Sequence, residues 1–297
     1  MLVNDRVVKR CNVPTGCSEA TLESVCSRED TRLGGLVVAG DEVFFWPYES
    51  YPYSIHRCPV DGCPDTPEQV PGPDDERGHR IGVVVAGPDA LYWTRDDRNL
   101  GPFSRRCALP ECTTTSEVRV VGNVDYNTAP ARELTRPSSV VSVGANSVLW
   151  GTGGLGNDST KQLRSCVLAN PCTTPTEIDN GGAFVVALTY FDGHHYGISK
   201  STSGSTIFRV SDAASTTTAT PVAADEAGVF SIAVDASGIY WANGATGKIL
   251  RCPKLDGCNA EEIETLAVNQ TNTSRIRVDA NNVYWQRETK ILRLAKP

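Results

Sequence analysis

No stretch of this chain approaches the roughly 20 consecutive apolar residues that a membrane-spanning helix needs. There is no basic run either, and the formal net charge is −7 with a pI near 5.2. A nucleic-acid binder carries a basic footprint, and this balance instead repels polyanions and anionic membranes. Nucleic acid is therefore excluded as an expected partner. Only one Met is present, and apolar residues at helical spacing are few. Metal and nucleophile signatures are missing as well: no His-Glu-x-x-His, no Gly-x-Ser-x-Gly elbow and no P-loop. Gly151-Thr152-Gly153-Gly154-Leu155-Gly156 is glycine-rich, but it runs into Asn157-Asp158-Ser159-Thr160 rather than a helix, which a dinucleotide site requires. No cofactor is expected.

What the chain does have is Val, Thr and Ser in abundance, with 26 Gly and 18 Pro in 297 residues. That mix favours strands joined by many turns. An apolar pair followed by an aromatic residue recurs: Phe44-Phe45-Trp46, Leu91-Tyr92-Trp93, Val148-Leu149-Trp150, the degenerate His194-His195-Tyr196, Ile239-Tyr240-Trp241 and Val283-Tyr284-Trp285. Successive aromatics lie 47, 57, 46, 45 and 44 residues apart, and the column takes all five Trp of the chain. A β-branched run and a turn precede each copy, as in Ile232-Ala233-Val234-Asp235-Ala236-Ser237-Gly238. An apolar-Arg-Cys strand follows most copies, then a tight turn with a second Cys, then a Glu-containing strand. Each repeat thus reads as four short strands, A to D, which is the unit of a propeller blade.

The expected fold is all-β: a six-bladed β-propeller, four antiparallel strands per blade, one domain over 1–297. The blades fall at about 34–80, 81–136, 137–182, 183–228, 229–273, and 274–297 plus 1–33, so that both termini close the ring. Two segments compete for strand C of the last blade, Val7–Cys11 and Ile291–Leu294. Residues 21–25 are expected as its outer strand.

These residues resemble the six-bladed YWTD and NHL-type propellers. Tyr92-Trp93-Thr94 comes close to the YWTD signature, with Arg95 in place of the Asp. The Arg-Cys-Pro…Gly-Cys turns are similar to cysteine-rich propeller repeats of secreted myxobacterial proteins. The resemblance covers nearly the whole chain and implies a binding platform or scaffold more often than an enzyme.

Ten of the eleven cysteines form close pairs: Cys11/Cys17, Cys58/Cys63, Cys107/Cys112, Cys166/Cys172 and Cys252/Cys258. Each brackets a C–D turn, and a disulfide across such a turn suits the Cα separation of about 5.5 Å that the bond prefers. Zinc would need four thiolates together, whereas blade symmetry spreads the pairs apart. No metal is expected. Cys26 is left over as a free thiol. Paired cysteines point to an oxidising compartment. The expected localisation is secreted, periplasmic or cell-surface, with the export signal removed or upstream, since Met1 to Arg10 lack an apolar core.

The Arg of each C strand (Arg10, Arg57, Arg106, Arg209, Arg251, Arg293) is expected to face a D-strand Glu, such as Glu68, Glu117, Glu177 or Glu262. Asp41, Asp235 and Asp279 are expected to cap A–B turns. His194 and His195 point to opposite faces of a strand and do not converge. The remaining variable material lies on the B–C and D–A side, in loops 47–54, 94–104 and 121–136. Tyr48, Tyr51, Tyr53, Arg95, Asp96, Asp97, Arg98, Phe103 and Tyr126 are the expected ligand-binding residues, because Tyr and Arg dominate recognition hot spots. The expected function is a non-enzymatic binding or scaffold module for a protein, peptide or glycan. The alternative is a propeller hydrolase or lyase with a central-channel site.

Overall fold

The structure is a computed structural model. It describes residues 2–4, 7–11, 22–27, 33–47, 54–63, 67–70, 81–95, 105–110, 112, 115–116, 140–151, 163–168, 175–181, 183–201, 204–213, 215–225, 228–288 and 290–297. Among these there is no helix; every regular element is a strand.

Strands β1–β3 are Leu2–Asn4, Val7–Cys11 and Leu22–Ser27. Blade 1 is β4–β7: Leu33–Ala39, Glu42–Pro47, His56–Pro59 and Glu68–Gln69. Blade 2 is β8–β11: Ile81–Ala86, Ala90–Arg95, Arg105–Ala108 and Thr115–Ser116. Blade 3 is β12–β15: Val141–Val143, Ser147–Gly151, Leu163–Val167 and Thr176–Ile178. Blade 4 is β16–β19: Phe184–Phe191, His194–Ser201, Gly204–Ser211 and Thr220–Asp225. Blade 5 is β20–β23: Val229–Asp235, Gly238–Asn243, Lys248–Cys252 and Glu264–Ala267. Blade 6 is β24–β26: Thr273–Val278, Asn282–Arg287 and Lys290–Ala295.

Each of these six blades holds one copy of the aromatic column on its second strand, and each is an antiparallel meander in sequence order. The first five have four strands and the sixth has three. The N-terminal strands make a further three-stranded sheet, in the order β1-β2-β3. Strand β3, expected as the outer strand of the last blade, is hydrogen-bonded to β2, with Arg10 opposite Glu23. Both candidate C strands therefore exist, each in its own sheet. Among the described residues the N-terminal sheet has three strands, and blade 6 has no D strand.

The chain divides into two compact units, Met1–Asn123 and Val124–Pro297. Within each, consecutive blades stack face to face, which is the propeller arrangement. In the first unit Phe44, Trp46, Ile55 and Val70 of blade 1 pack with Val84, Leu91, Trp93, Cys107 and Cys112 of blade 2. In the second unit Tyr196, Ile198, Ile207 and Val222 of blade 4 enclose Val229, Ile232, Ile239, Trp241, Leu250 and Cys252 of blade 5. Blades 5 and 6 meet through Tyr240, Ile249, Ile276, Val283 and Trp285, and blades 3 and 4 through Leu149, Leu163, Ile178, Phe208 and Val210. Trp150, Trp241, Tyr196 and Tyr240 are wholly buried. The aromatic column is thus the cement between blades, because a single sheet cannot bury both faces by itself.

A second regularity was not legible in the repeat. The A strands of blades 1, 2, 4, 5 and 6 each begin with a bulge, between Leu33 and Gly35, Ile81 and Val84, Val185 and Ala187, Val229 and Ser231, and Thr273 and Arg275. A bulge bends its strand and re-aims one side chain.

Candidate functional site

The cysteine position on strand C faces the preceding blade. Three disulfides are described, Cys58–Cys63, Cys107–Cys112 and Cys252–Cys258, with Cα separations of 4.9, 5.0 and 5.7 Å. Cys166 is also disulfide-bonded. Cys17, Cys172 and the side chains of Cys11 and Cys26 lie outside the described residues. The loop closed by Cys252 and Cys258 leans on blade 4: the Cys258 N–H donates to Val222 O at 2.7 Å, and the Tyr196 hydroxyl donates to Leu255 O at 3.4 Å.

Blades 4 and 6 lack the cysteines. Strand register sets Val210 and Leu294 in the place of Cys252. Two residues further on stand Asp212, Lys254 and Lys296 in blades 4, 5 and 6. In blade 5, where the disulfide is present, Lys254 is exposed and pairs with Glu262. In the other two the same position is buried and clasps the preceding blade.

Asp212 shows this most fully. Its carboxylate accepts from the backbone N–H of Asn146 and of Ser147, both at 2.8 Å, and from the Ser147 hydroxyl at 2.5 Å. The His195 Nε2 lies 3.2 Å from Oδ1 and 3.0 Å from Ser147 Oγ, and its Nδ1 lies 2.9 Å from Ser142 Oγ. Asp212 is 1% exposed, His195 0%, Ser142 2% and Ser147 5%. Gly144 makes the approach possible, since a Cβ there would stand 2.4 Å from Oδ1. Burial raises the Asp212 pKa, but the hydrogen bonds from His195, Ser147 and the Asn146 amide outweigh it and bring it down to about 2.

A serine, a histidine and an aspartate in contact invite comparison with a hydrolytic triad. The geometry is different. In a triad the two imidazole nitrogens serve different partners, one the nucleophile and the other the carboxylate. Here one nitrogen, Nε2, meets both Ser147 and Asp212, and the serine hydroxyl is already given to the carboxylate. No solvent reaches the cluster. It ties the A–B turn of blade 3 to strands B and C of blade 4. The two histidines do point apart as expected: His194 Nδ1 instead lies 3.1 Å from Asp192 O. Sequence reasoning missed Asp212, although its place two residues beyond the lost cysteine is a signal in the repeat.

Lys296 repeats the clasp with the opposite charge. Its ammonium donates to Asp235 Oδ2 and to Asp279 O, and lies 5.5 Å from the centre of the Tyr240 ring. Arg251 sits 5.8 Å from the same ring and donates to Ser237 O at 2.6 Å. Burial raises the Asp235 carboxyl, yet the bonds from Lys296 and Ser237 hold it below its usual range.

The turn-capping expectation holds for Asp235, which accepts from Ser237 N at 2.8 Å, and for Asp279, which accepts from Asn281 N and Asn282 N. At Asp41 the described bond instead runs through its carbonyl to Val60 N. The strand C–D ladder is present as Arg57–Glu68 at 2.9 Å; in blade 3 Glu177 pairs at 2.9 Å with Arg164, which is not among the expected arginines and lies one residue before the ladder position, where Ser165 stands. In blade 5 it needs correction: Arg251 pairs with Glu264 at 3.1 Å, not Glu262. The longer C–D turn, folded around the Asn259 side chain, starts strand D three residues later than expected and leaves Glu262 to Lys254. Arg106 turns to Asp89 at 2.6 Å, and Glu117 lies outside the described residues.

Of the expected ligand-binding residues, Tyr48, Tyr51, Tyr53, Asp96, Asp97, Arg98, Phe103 and Tyr126 lie outside the described residues. Arg95 ends β9, where its backbone is opposite Ile81. Next to the first loop, Ser54 and His56 are buried, with Ser54 Oγ 3.0 Å from His56 Nε2 and the imidazole stacked on Phe45.

No family model matches this sequence, and no curated protein does. Solved structures match it in number, 439 chains in all. The Nidogen/Laminin complex is similar over 88% of this chain and 88% of that chain, with a TM-score of 0.51 and 12% identity. Human WBSCR16 is similar over 93% and 79%, with a TM-score of 0.58 and 12% identity. A chain from a study of two prolyl endopeptidases is similar over 93% of this chain but only 44% of its own, with a TM-score of 0.55 and 13% identity. Likeness at this level of identity shows the fold, a β-propeller, and nothing of the activity.

Proposed function

We propose that this protein is an exported, disulfide-stapled β-propeller that acts as a non-enzymatic binding or scaffold module for a protein, peptide or glycan. The observation that carries the reading is the division of labour between the two kinds of connection. The C–D connections run within a narrow range, 6 to 11 residues; those of blades 1, 2 and 5 are closed by disulfides, and Asp212 ties that of blade 4 to blade 3. The connections at the other strand ends vary more widely, from two residues at 202–203 and four at 244–247 to nine at 96–104 and 24 at 117–140. Variable loops on a rigid frame are where recognition resides. The Ser147–His195–Asp212 cluster, the one arrangement that invites an enzymatic reading, is closed to solvent and consumed in packing. Disulfides favour an oxidising compartment. The solved nidogen likeness, titled as a complex with laminin, fits a protein-binding role.

The test is a glycan and peptide array on the folded protein, followed by the combined Tyr48→Ala, Tyr51→Ala, Tyr53→Ala variant against any ligand found. Aromatic anchors at a hot spot contribute more than about 1 kcal/mol each, so the triple variant should weaken binding by roughly 100-fold. Unchanged affinity in a folded triple variant places the site elsewhere, and turnover of a substrate overturns the non-enzymatic reading.

A further inference from the structure

Phe230 is the one exposed aromatic side chain among the described large apolar residues, at 54%. It occupies the bulge that opens strand A of blade 5, so the strand's own irregularity turns it outward. The Lys200 ammonium, from the end of strand B in blade 4, lies 3.4 Å from the centre of its ring. Burial lowers the Lys200 pKa, and no acidic group contributes to that shift.

Two buried side chains stand at this same end of the junction. Ser205 is the register partner of Lys200 and lies two residues before Ile207 on strand C of blade 4. Asn243 lies two residues beyond Trp241 on strand B of blade 5, opposite Val229. Ile207, Trp241 and Val229 belong to one core between the two blades, so strand alternation brings Ser205 and Asn243 to the margin of that core. Ser205 is 2% exposed and Asn243 0%. The Asn243 Oδ1 caps the turn by accepting from Ala245 N at 3.1 Å and Thr246 N at 3.0 Å. Its Nδ2 and the Ser205 Oγ have no hydrogen-bond partner. Native proteins rarely leave such atoms unmatched, and each one calls for a reason.

An ammonium and a carboxamide NH₂ can only donate, and a serine hydroxyl can donate. Three donors beside an exposed apolar ring select an acceptor that is charged and has an apolar neighbour. We propose that the end of the blade 4–blade 5 junction formed by Lys200, Ser205, Phe230 and Asn243 binds the carboxylate of a peptide, with an adjoining apolar side chain against Phe230. The carboxylate draws the Lys200 ammonium off the ring, and this parting must also open Ser205 and Asn243, closed to solvent in the free protein, for them to donate to it. This inference rests on the binding-module reading and names a subsite for it.

The test is an NMR titration of the whole protein at fixed ionic strength with N-acetyl-phenylalanine, its neutral amide, and N-acetyl-glutamic acid α-amide. The first carries a terminal carboxylate and the third a side-chain carboxylate. Saturable shifts at Lys200, Ser205, Phe230 and Asn243 are expected with a carboxylate and not with the neutral amide, and the tighter of the two acids identifies the source. Charge-assisted bonds are the strong ones, so Lys200→Met should weaken the response at least 10-fold and Ser205→Ala several-fold. Lys254→Met, on the opposite strand ends, should leave it unchanged. Equal binding of the neutral amide, a response that survives Lys200→Met, or no local response at all overturns the proposal. A Ser205→Val variant that melts higher while the probes still fail to bind does so too, by showing that only water meets the hydroxyl. Failure here alongside an array ligand that needs the Tyr48, Tyr51 and Tyr53 loop leaves the binding-module reading standing. A carboxylate response indifferent to those tyrosines supports the junction by itself.

Discussion

Replacing Asp212 with alanine tests the clasp between blades 3 and 4. The substitution removes the acceptor of four close donors, Asn146 N–H, Ser147 N–H, the Ser147 hydroxyl and the His195 Nε2 side, beyond which Asn146 Nδ2 and the Tyr190 hydroxyl reach it at 3.4 Å. A buried donor left unmatched costs roughly 1–3 kcal/mol, and three of these four are buried. Allowing the serine hydroxyl to turn elsewhere, the loss comes to about 4 kcal/mol, at the upper end for one substitution. With an unfolding entropy of ~2.1 cal/mol/K per residue, the midpoint should fall by roughly 6 °C if the chain melts as one. Acid should shrink the difference. The folded Asp212 pKa of about 2 lies below the unfolded value near 3.9, so its contribution is complete above about pH 4 and is lost as the pH falls towards 2. That shift amounts to about 2 kcal/mol of acid-sensitive stability, which the alanine variant lacks. Calorimetry at pH 7 and pH 3 on wild type and Asp212→Ala reads both effects. Lys254→Ala is the control, because it alters the same repeat position in a blade that keeps its disulfide; its exposed pair with Glu262 should leave the midpoint unmoved. A drop of less than 2 °C in Asp212→Ala, or an equal drop in Lys254→Ala, would refute the reasoning.

Other expectations follow from the same pattern. Lys296→Met should lower stability by about 1–3 kcal/mol, since it leaves the half-buried Asp235 carboxylate without its cation; an unchanged urea midpoint would show the ammonium to be idle. Alkylation without reduction, read by mass spectrometry, should label one cysteine per chain, Cys26, and labelling at Cys58, Cys107 or Cys252 would contradict the described disulfides. Deleting residues 1–25 should depress the melting temperature, because it strips the N-terminal sheet from its place beside strand β4 of blade 1; an unaltered melting curve would separate the N-terminus from the propeller.

The repeat made the fold legible because a blade is a local object. Its four strands are neighbours in sequence, and the aromatic triplet on strand B recurs in each, which announced the blades in advance; register then sets Phe45, Trp93, Trp150, Gly197, Trp241 and Trp285 at one position, with Trp46 and Tyr196 one residue to either side of it. The hairpin disulfides were legible for the same reason: Cys252 and Cys258 are close in sequence and bracket one turn. The clasps were not, because their partners belong to different blades. Asp212 bonds to Ser147, 65 residues away, and Lys296 to Asp235, 61 residues away. The lost cysteines mark blades 4 and 6 as different from blade 5, but nothing within either blade names the partner that Asp212 or Lys296 meets. The bulge that turns out Phe230 is likewise a mismatch between two strands, visible only when they are paired. Sequence alone determined the strands, their order and the residues that must be buried between blades. Only tertiary structure decided which polar groups meet across a junction, because a hydrogen bond depends on the approach of two surfaces that the chain encodes far apart.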